Sequence, residues 1–102
     1  MERGYYRVSS FEYEFIKRKP RPEYRSYVRY KIDQGEILLC FLGDGFEKEI
    51  IIKNGNISRI TREDAILNNL KLADRRLSDT NWEYNDFITE KEFNQVWNKQ
   101  DQ

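Results

Sequence analysis

Between residues 24 and 60, strand-like segments alternate with very short turns, and this arrangement limits the fold more than any other feature of the chain. The segments are YRSYVRYKI, EILLCFL, EKEIIIK and NISRI. The turns between them are DQG, GDG and Asn54-Gly55, and an Asn-Gly pair favours a hairpin because a type I′ turn needs a positive φ at both central residues. No helical segment separates these strands, so we expect them to pair in antiparallel order, without parallel β-α-β crossovers.

The segments on either side of KRKPRP alternate most clearly between two faces. Aromatic residues occupy the odd positions of FEYEF, which predicts a strand near residues 11–16. In the next segment one face carries Tyr24, Ser26, Val28, Tyr30 and Ile32, and the other carries Arg25, Tyr27, Arg29 and Lys31. An antiparallel hairpin of the two segments pairs residues 11–16 with residues 25–30 and sets Glu12 opposite Arg29 on the outer face.

Beyond residue 60 the periodicity becomes helical. Thr61 precedes REDAILNNLKLADRRL, and Asp64 three residues later forms a variant of the capping box. The apolar stripe at helical spacing in this segment consists of Ile66, Leu70, Ala73 and Leu77, with Leu67 beside it. In ITEKEFNQVW, Thr89 is expected to cap the amide of Glu92, whose carboxylate returns to the Thr89 amide.

These patterns predict one α+β domain over residues 1–102, strand-rich over 5–60 and helical over 61–100. The expected architecture is an antiparallel sheet of four to five consecutive strands followed by two helices packed on one face. The polar link between the helices is expected to be anchored as a short strand by aromatic residues such as Trp82 and Phe87.

Composition excludes most catalytic chemistry. The chain has no histidine, so the commonest metal ligand and every histidine-containing triad are missing. The single cysteine, Cys40, lies in the apolar segment ILLCFL and is expected to be buried and unreactive. LGDGF lacks the Lys-Ser/Thr of a phosphate-binding loop. The sequence therefore predicts a protein that is not an enzyme and that holds no cofactor and no metal.

Four pairs of acidic residues are the remaining candidates for acid–base chemistry. They are Glu12/Glu14, Glu47/Glu49, Glu63/Asp64 and Glu90/Glu92. The first two pairs have i, i+2 spacing on strands, so each pair is expected on one side of the sheet, without apolar surroundings to raise a pKa. The other two lie in first helical turns, where acids meet the helix dipole favourably. All four pairs are therefore expected to be structural or solvated.

Charge is balanced overall but divided along the chain. Lys and Arg total 18, and Asp and Glu total 18. Residues 1–31 hold nine basic and four acidic side chains, 9 − 4 = +5, and residues 32–102 hold nine and fourteen, 9 − 14 = −5. The stretch FIKRKPRPEYRSYVRYK supplies most of the basic excess. The candidate partner-binding residues are Arg25, Tyr27, Arg29 and Lys31 on one strand face, with Lys17, Arg18, Lys19 and Arg21 at the adjoining tip.

Three interpretations of this basic stretch stay open. In the first, Glu12 and Glu14 neutralise part of the face, and the hairpin is an ordinary solvated one. In the second, the face binds single-stranded nucleic acid, with bases stacked on its aromatic rings. In the third, its arginine and aromatic content, which is typical of interface hot spots, docks an acidic protein.

We therefore expect a small non-catalytic protein–protein interaction module that binds through its charge-polarised surface, as an inhibitor or accessory protein. The alternative is single-stranded nucleic-acid binding by the basic and aromatic face of residues 17–31. An exposed sheet edge would also allow a homodimer.

The sequence also predicts a cytoplasmic location. The longest apolar run, Ile37 to Leu42, is too short to span a membrane, and the N-terminus shows no apolar secretion signal. One unpaired cysteine fits a reducing compartment. The ten isoleucines and eight asparagines against two alanines point to a low-GC bacterium or one of its mobile elements.

Overall fold

A five-stranded sheet is the centre of the fold. The computed structural model describes residues 24–99. Its strands are β1 (Arg25–Ile32), β2 (Gly35–Leu42), β3 (Gly45–Lys53), β4 (Asn56–Thr61) and β5 (Phe87–Ile88). All neighbours pair antiparallel, in the spatial order β4-β3-β2-β1-β5. The predicted antiparallel sheet is confirmed.

Two α-helices and three short 3₁₀ helices complete the described part of the chain. Helix α1 (Arg62–Leu67) follows β4 directly, and α2 (Glu90–Trp97) follows β5. The 3₁₀ helices between α1 and β5 are Lys71–Asp74, Leu77–Asp79 and Tyr84–Asp86. The α+β class, with a sheet followed by two helices, is confirmed, and β5 is the short strand expected around Phe87.

The turns between the first four strands contain residues with positive φ. Gln34 (φ 66°) and Gly43 (φ 61°) lie in the first two turns. Asn54 (φ 54°) and Gly55 (φ 84°) both have positive φ, as a type I′ hairpin turn requires. The three predicted turns are therefore confirmed, and they allow β1 to β4 to follow one another as a meander.

β5 occupies the position beside β1 that the sequence assigned to an N-terminal strand. Tyr27 pairs with Ile88 and Val28 with Phe87 on one side of β1, while β2 pairs on the other side. Both edges of β1 are therefore taken at these two residues. The predicted pairing of β1 with residues 11–16 is wrong at this point, because an apolar dipeptide from the far end of the chain fills the same place. Residues 11–16 themselves lie outside the described residues.

The two helices pack on opposite faces of the sheet, whereas the sequence predicted both on one face. The α1 face is built on Val28, Leu39, Phe41, Phe46, Ala65, Ala73, Leu77, Trp82 and Phe87. The α2 face is built on Tyr27, Leu38, Cys40, Ile50, Ile88 and Phe93. The physical reason is β2, which is apolar at consecutive positions and therefore needs cover on both sides.

Helix α1 ends at Leu67, although the predicted apolar stripe continues to residue 77. Asn69 adopts φ 55°, in the left-handed region. Its amide donates to the Ile66 carbonyl at 3.1 Å, and the Leu70 amide donates to the Ala65 carbonyl at 2.9 Å. These two bonds form a Schellman motif, which terminates a helix by satisfying its last carbonyl groups. The continuous helix predicted for this segment is therefore wrong.

Both α-helices begin at threonine caps, but only α1 has the complete capping box. Thr61 accepts from the Asp64 amide at 3.2 Å, and the Asp64 carboxylate accepts from the Thr61 amide at 3.3 Å. In α2, Thr89 accepts from the Glu92 amide at 3.2 Å, as predicted. The Glu92 carboxylate lies instead 3.8 Å from the guanidinium of Arg29. The predicted return bond is thus replaced by an ion pair to the sheet.

The left-handed conformation of Asn69 predicts how substitutions there will act. Asn69→Ala is expected to lower the free energy of unfolding by about 1 kcal/mol, because alanine is strained at positive φ. Asn69→Gly should retain or raise the stability. Urea denaturation measures both, with Asn98→Ala, at the α2 C-cap with φ −94°, as the control. Equal stabilities for the alanine and glycine variants would contradict this account.

Candidate interaction surface

The strand face predicted to bind a partner is only partly exposed. Arg25 and Lys31 lie near the two ends of β1 and are exposed, and Arg29 between them is half-buried. Tyr27 is 9% exposed and packs against Phe93 of α2, with ring centroids 5.3 Å apart. The expected exposure of Tyr27 is wrong, because α2 covers this part of the face. Lys17, Arg18, Lys19 and Arg21 lie outside the described residues.

Arg25 is held by Glu47 in a two-point ion pair. The distance from Nε to Oε1 is 2.7 Å and from Nη2 to Oε2 is 3.0 Å. These charge-assisted hydrogen bonds lower the pKa of Glu47 and raise the pKa of Arg25. An incoming phosphate or carboxylate would have to displace Glu47 before it could bind this guanidinium.

Arg29 lies between two carboxylates, one from β2 and one from α2. Its Nε is 3.8 Å from Glu36 Oε1, and its Nη1 is 3.8 Å from Glu92 Oε2. Such long, partly exposed pairs contribute little to stability, but they reduce the positive potential around Arg29. The acids expected to neutralise this face, Glu12 and Glu14, lie outside the described residues.

A β-bulge places Glu47 and Glu49 on opposite faces, although the sequence predicted them on one side of the sheet. The register between β2 and β3 shifts between Cys40 and Phe41. Glu47 contacts Cys40 on the α2 face, whereas Glu49 pairs with Leu39 on the α1 face. A bulge inserts an extra residue into one strand and so reverses the side-chain alternation. The predicted carboxylate pair therefore does not form.

Cys40 is part of the core beneath α2. It is 1% exposed, and its Sγ donates to Glu47 Oε1 at 3.3 Å. Burial and this hydrogen bond raise the pKa of the thiol to about 12. The thiol is therefore protonated near neutral pH, unlike the thiolate of a reactive cysteine. The predicted burial of Cys40 is confirmed.

Glu49 is a carboxyl group in apolar surroundings. It is 8% exposed, and burial raises its pKa, while the positive charge of Arg75 acts in the opposite direction. Arg75 donates to the Tyr30 hydroxyl at 3.3 Å, and its guanidinium lies 5.9 Å from the centre of the Trp82 ring. The expectation that no apolar surroundings raise the pKa of this pair is wrong for Glu49, because the side chain is buried in the sheet and lies near Arg75 from far along the chain.

The end of α1 exposes three large aliphatic side chains. Ile66 is 53% exposed, Leu67 is 80% exposed and Leu70 is 42% exposed, and we call these three residues the aliphatic patch. Ala65 is the buried residue of α1 and belongs to the core cluster on this face of the sheet. The sequence predicted a single helical stripe of Ile66, Leu70, Ala73 and Leu77, and the structure divides it, because the Schellman motif ends the helix and leaves Ile66 and Leu70 exposed while Ala73 and Leu77 are buried.

Charges of both signs border the aliphatic patch. Glu63 precedes it in the first turn of α1, Lys71 follows it in the next 3₁₀ helix, and both are exposed. The other charged side chains of α1 serve internal contacts. Arg62 donates to the Ala73 carbonyl at 3.2 Å, and Asp64 completes the capping box. The patch is therefore an apolar centre with a mixed-charge rim, a pattern that sequence periodicity did not indicate.

Two further features of the described residues bear on chemistry: the placement of potential metal ligands and a cleft beside the 3₁₀ helices. Among residues 24–99, no group of three side chains with ligand atoms is placed to hold a metal ion. A cleft of about 330 Å³ lies along residues 77–82 with Phe87 in its lining. Ser78 in this lining donates to Asp44 at 2.8 Å, so its hydroxyl serves the loop's own attachment to the β2–β3 turn.

The burial of Glu49 predicts a pH-dependent effect of replacing it. Its pKa is higher in the folded protein than in the unfolded chain, so the folded state loses stability as the pH rises from the unfolded pKa through the folded one. Glu49→Gln removes the charge and keeps the shape. It is expected to raise the melting temperature near pH 7 and to change it little near pH 4, where a carboxyl group is largely protonated.

Circular dichroism melts across this pH range measure the effect. The control is Glu63→Gln, which removes an exposed carboxylate from α1. A gain in melting temperature that is the same at both pH values would show that the charge on Glu49 is not the cause.

Comparisons with known proteins add no further constraint on this surface. No protein-family model matches the chain, and no curated protein or solved structure matches it. No helix in the described part of the chain is long and apolar enough to cross a membrane. The function is therefore argued from the chain's own residues.

Proposed function

We propose that this protein is a small non-catalytic module that binds another protein through the aliphatic patch. The observation that carries the proposal is the 80% exposure of Leu67 beside the exposed Ile66 and Leu70. Complete burial of one large aliphatic side chain contributes about 1.5–3 kcal/mol relative to leaving it in water. Adjoining exposed apolar side chains with a polar rim are typical of protein interaction sites.

The charge-polarised surface keeps a secondary role in this proposal. Arg25 and Arg29 already face carboxylates of their own chain, so exchanging these for a partner's acids yields little net free energy. Surface charges still orient an approaching partner and raise the rate of association. Affinity is therefore assigned to the aliphatic patch, and orientation to the charged residues.

A cytoplasmic role as an inhibitor or accessory protein belongs to the same proposal. The unpaired Cys40 is suited to a reducing compartment. The amino-acid bias that favours isoleucine and asparagine over alanine supports a low-GC bacterium or one of its mobile elements as the source.

Single-stranded nucleic-acid binding is the alternative function, and it has less support from the described residues. A stacking surface for bases needs exposed rings beside available cations. Tyr27 is buried under α2, and Arg25 is bound to Glu47. The basic residues 17–21 lie outside the described residues, so this alternative needs a test of its own.

Oligonucleotide binding is that test. A labelled single strand is titrated at two salt concentrations with the wild type and with Arg25→Glu/Arg29→Glu. We expect no binding that depends on these arginines, because both face internal acids. Binding that is lost in the double variant and that weakens steeply with salt would favour the nucleic-acid function instead.

Photo-crosslinking from the aliphatic patch tests the proposed function. A benzophenone amino acid in place of Leu67 is expected to join this chain to a protein in an extract of the native host, because the contact holds the probe against its partner. The same probe in place of Leu42 is the matched control, since Leu42 is a 39% exposed leucine on β2 outside the patch. Gel mobility and mass spectrometry measure the adducts.

Competition makes the result specific. An excess of unlabelled wild-type chain should suppress the adduct formed from position 67, whereas an excess of Leu67→Glu should not. Labelling that is absent at position 67, or equal at positions 67 and 42, would contradict a protein-docking role for the patch.

A further inference from the structure

We propose that Glu49 and Arg75 form a proton-controlled switch on the α1 face of the sheet. When the Glu49 carboxyl group gives up its proton to solvent, the Arg75 guanidinium leaves the rings of Tyr30 and Trp82 and pairs with the carboxylate. The contacts of Arg75 in the structure are those of the protonated state. The switch is a property of the fold that does not depend on the aliphatic patch.

Glu49 is a buried carboxyl group that has no bonded partner in the part of the chain that the structure describes. It is 8% exposed, and it forms neither a hydrogen bond nor an ion pair within residues 24–99. Its neighbours across the sheet are Leu39 on β2 and Ile60 on β4. A buried carboxylate without a partner is far less stable than a buried neutral carboxyl group, so ionisation of Glu49 requires a cation beside it.

Arg75 is the cation that can meet this requirement. Its carbonyl accepts from the Phe46 amide at 3.1 Å, so its backbone is held at the start of β3, the strand that carries Glu49. Its guanidinium donates to the hydroxyl of Tyr30, which belongs to β1 and packs on the α1 face. The side chain therefore crosses the face on which Glu49 lies, and its positive charge already acts on the Glu49 carboxyl group.

The other charged side chains around this face are engaged elsewhere or exposed. On α1, Arg62 donates to the carbonyl groups of Phe46 and Ala73, and Asp64 completes the helix cap. On the 3₁₀ helices, Asp86 accepts from the Glu83 amide at 2.8 Å. The residues of β1 and β2 on this face carry no formal charge, and Tyr30 is the titratable one among them. The remaining charged residues of α1 and the 3₁₀ helices are exposed, namely Glu63, Lys71, Asp74, Arg76, Asp79 and Glu83.

The present contacts of the Arg75 guanidinium are weak enough to be exchanged. It donates to the Tyr30 hydroxyl at 3.3 Å and to the Thr80 hydroxyl at 3.5 Å, and both bonds are longer than the usual value of about 2.9 Å. Its distances to the ring centres of Tyr30 and Trp82, 5.7 Å and 5.9 Å, are close to the limit of about 6 Å for a cation–π contact. A charge-assisted pair with a buried carboxylate is stronger than these contacts, so the guanidinium moves when Glu49 ionises.

The movement connects the proton concentration to the wall of a cleft. Thr80 and Trp82, which lose the guanidinium, line the cleft of about 330 Å³ beside the 3₁₀ helices. The bond between the Arg75 carbonyl and the Phe46 amide involves only the backbone, so it stays in place while the side chain moves. Ionisation of Glu49 therefore changes this wall without detaching the segment from the sheet.

An NMR titration of the full-length chain is the experiment. The carboxyl carbon of Glu49 and the δ protons of Arg75 are followed from about pH 4 to about pH 9, a range that begins near the ordinary glutamate pKa and extends well above it. At the acid end the Arg75 protons are expected upfield, because two aromatic rings lie against the guanidinium. They should lose this upfield shift as the pH rises, with the same midpoint as the Glu49 carboxyl signal.

Three variants show whether Glu49 causes the movement. Glu49→Gln keeps the shape of the side chain but cannot ionise, so the Arg75 protons should stay upfield at every pH. Glu63→Gln, which removes an exposed carboxylate from α1, should leave the titration unchanged. Tyr30→Phe removes the hydroxyl that accepts from Arg75. Because the guanidinium then leaves the rings more easily, the ionised pair is favoured and the midpoint should move to lower pH.

Any of four results would overturn the proposal. The first is an Arg75 signal that stays constant while Glu49 titrates, and the second is an Arg75 shift that persists in Glu49→Gln. The third is a midpoint that does not fall in Tyr30→Phe. The fourth is a loss of the native amide signals of the core residues Leu38 and Ile50 at the same midpoint, because the change would then be unfolding of the chain instead of a local movement.

Discussion

The structure depends above all on β2, which has to be buried on both of its sides. Leu38 and Cys40 point to one face of the sheet and Leu39 and Phe41 to the other, and each is at most 2% exposed. Covering only one face would leave two of these four side chains in water, at a cost proportional to their apolar area. The chain therefore lays α1 and the 3₁₀ helices over one face, returns to the sheet through β5 and lays α2 over the other.

The passage of the chain from one face of the sheet to the other also brings the basic first part of the chain close to acidic residues of the later part. Arg25 and Arg29 belong to the basic first part of the chain, and the acids that face them come from later strands and from α2. Arg59 on β4 donates to the carbonyl groups of Val96 and Trp97 at the end of α2, which fastens this helix to the sheet. Separation of charge along the sequence is thus reduced in space at these two arginines, Arg25 and Arg29.

The availability of that aliphatic surface follows from how α1 ends. Asparagine tolerates the left-handed conformation better than most residues, and Asn69 uses it to stop the helix after Leu67. The apolar residues beyond this point split into two groups. Ala73 and Leu77 reach the core through the 3₁₀ helices, while Leu70 stays with the exposed end of α1. A single backbone conformation therefore separates core residues from the candidate docking residues.

The sequence alone determined the first four strands, their turns, the start of both helices and the burial of Cys40. Alternation, Asn-Gly chemistry and threonine caps act over a few neighbouring residues, so they can be read locally. It did not determine the place of β5, which at two residues is too short to show a period. The burial of Glu49 was also not predictable, because it follows from the β-bulge and from residues far along the chain that lie over this face. Nor did the sequence determine the exposure of Leu67, because a stripe at helical spacing does not reveal where the helix stops. The tertiary structure decided which surface is available to a partner, since exposure depends on contacts between residues far apart in the chain.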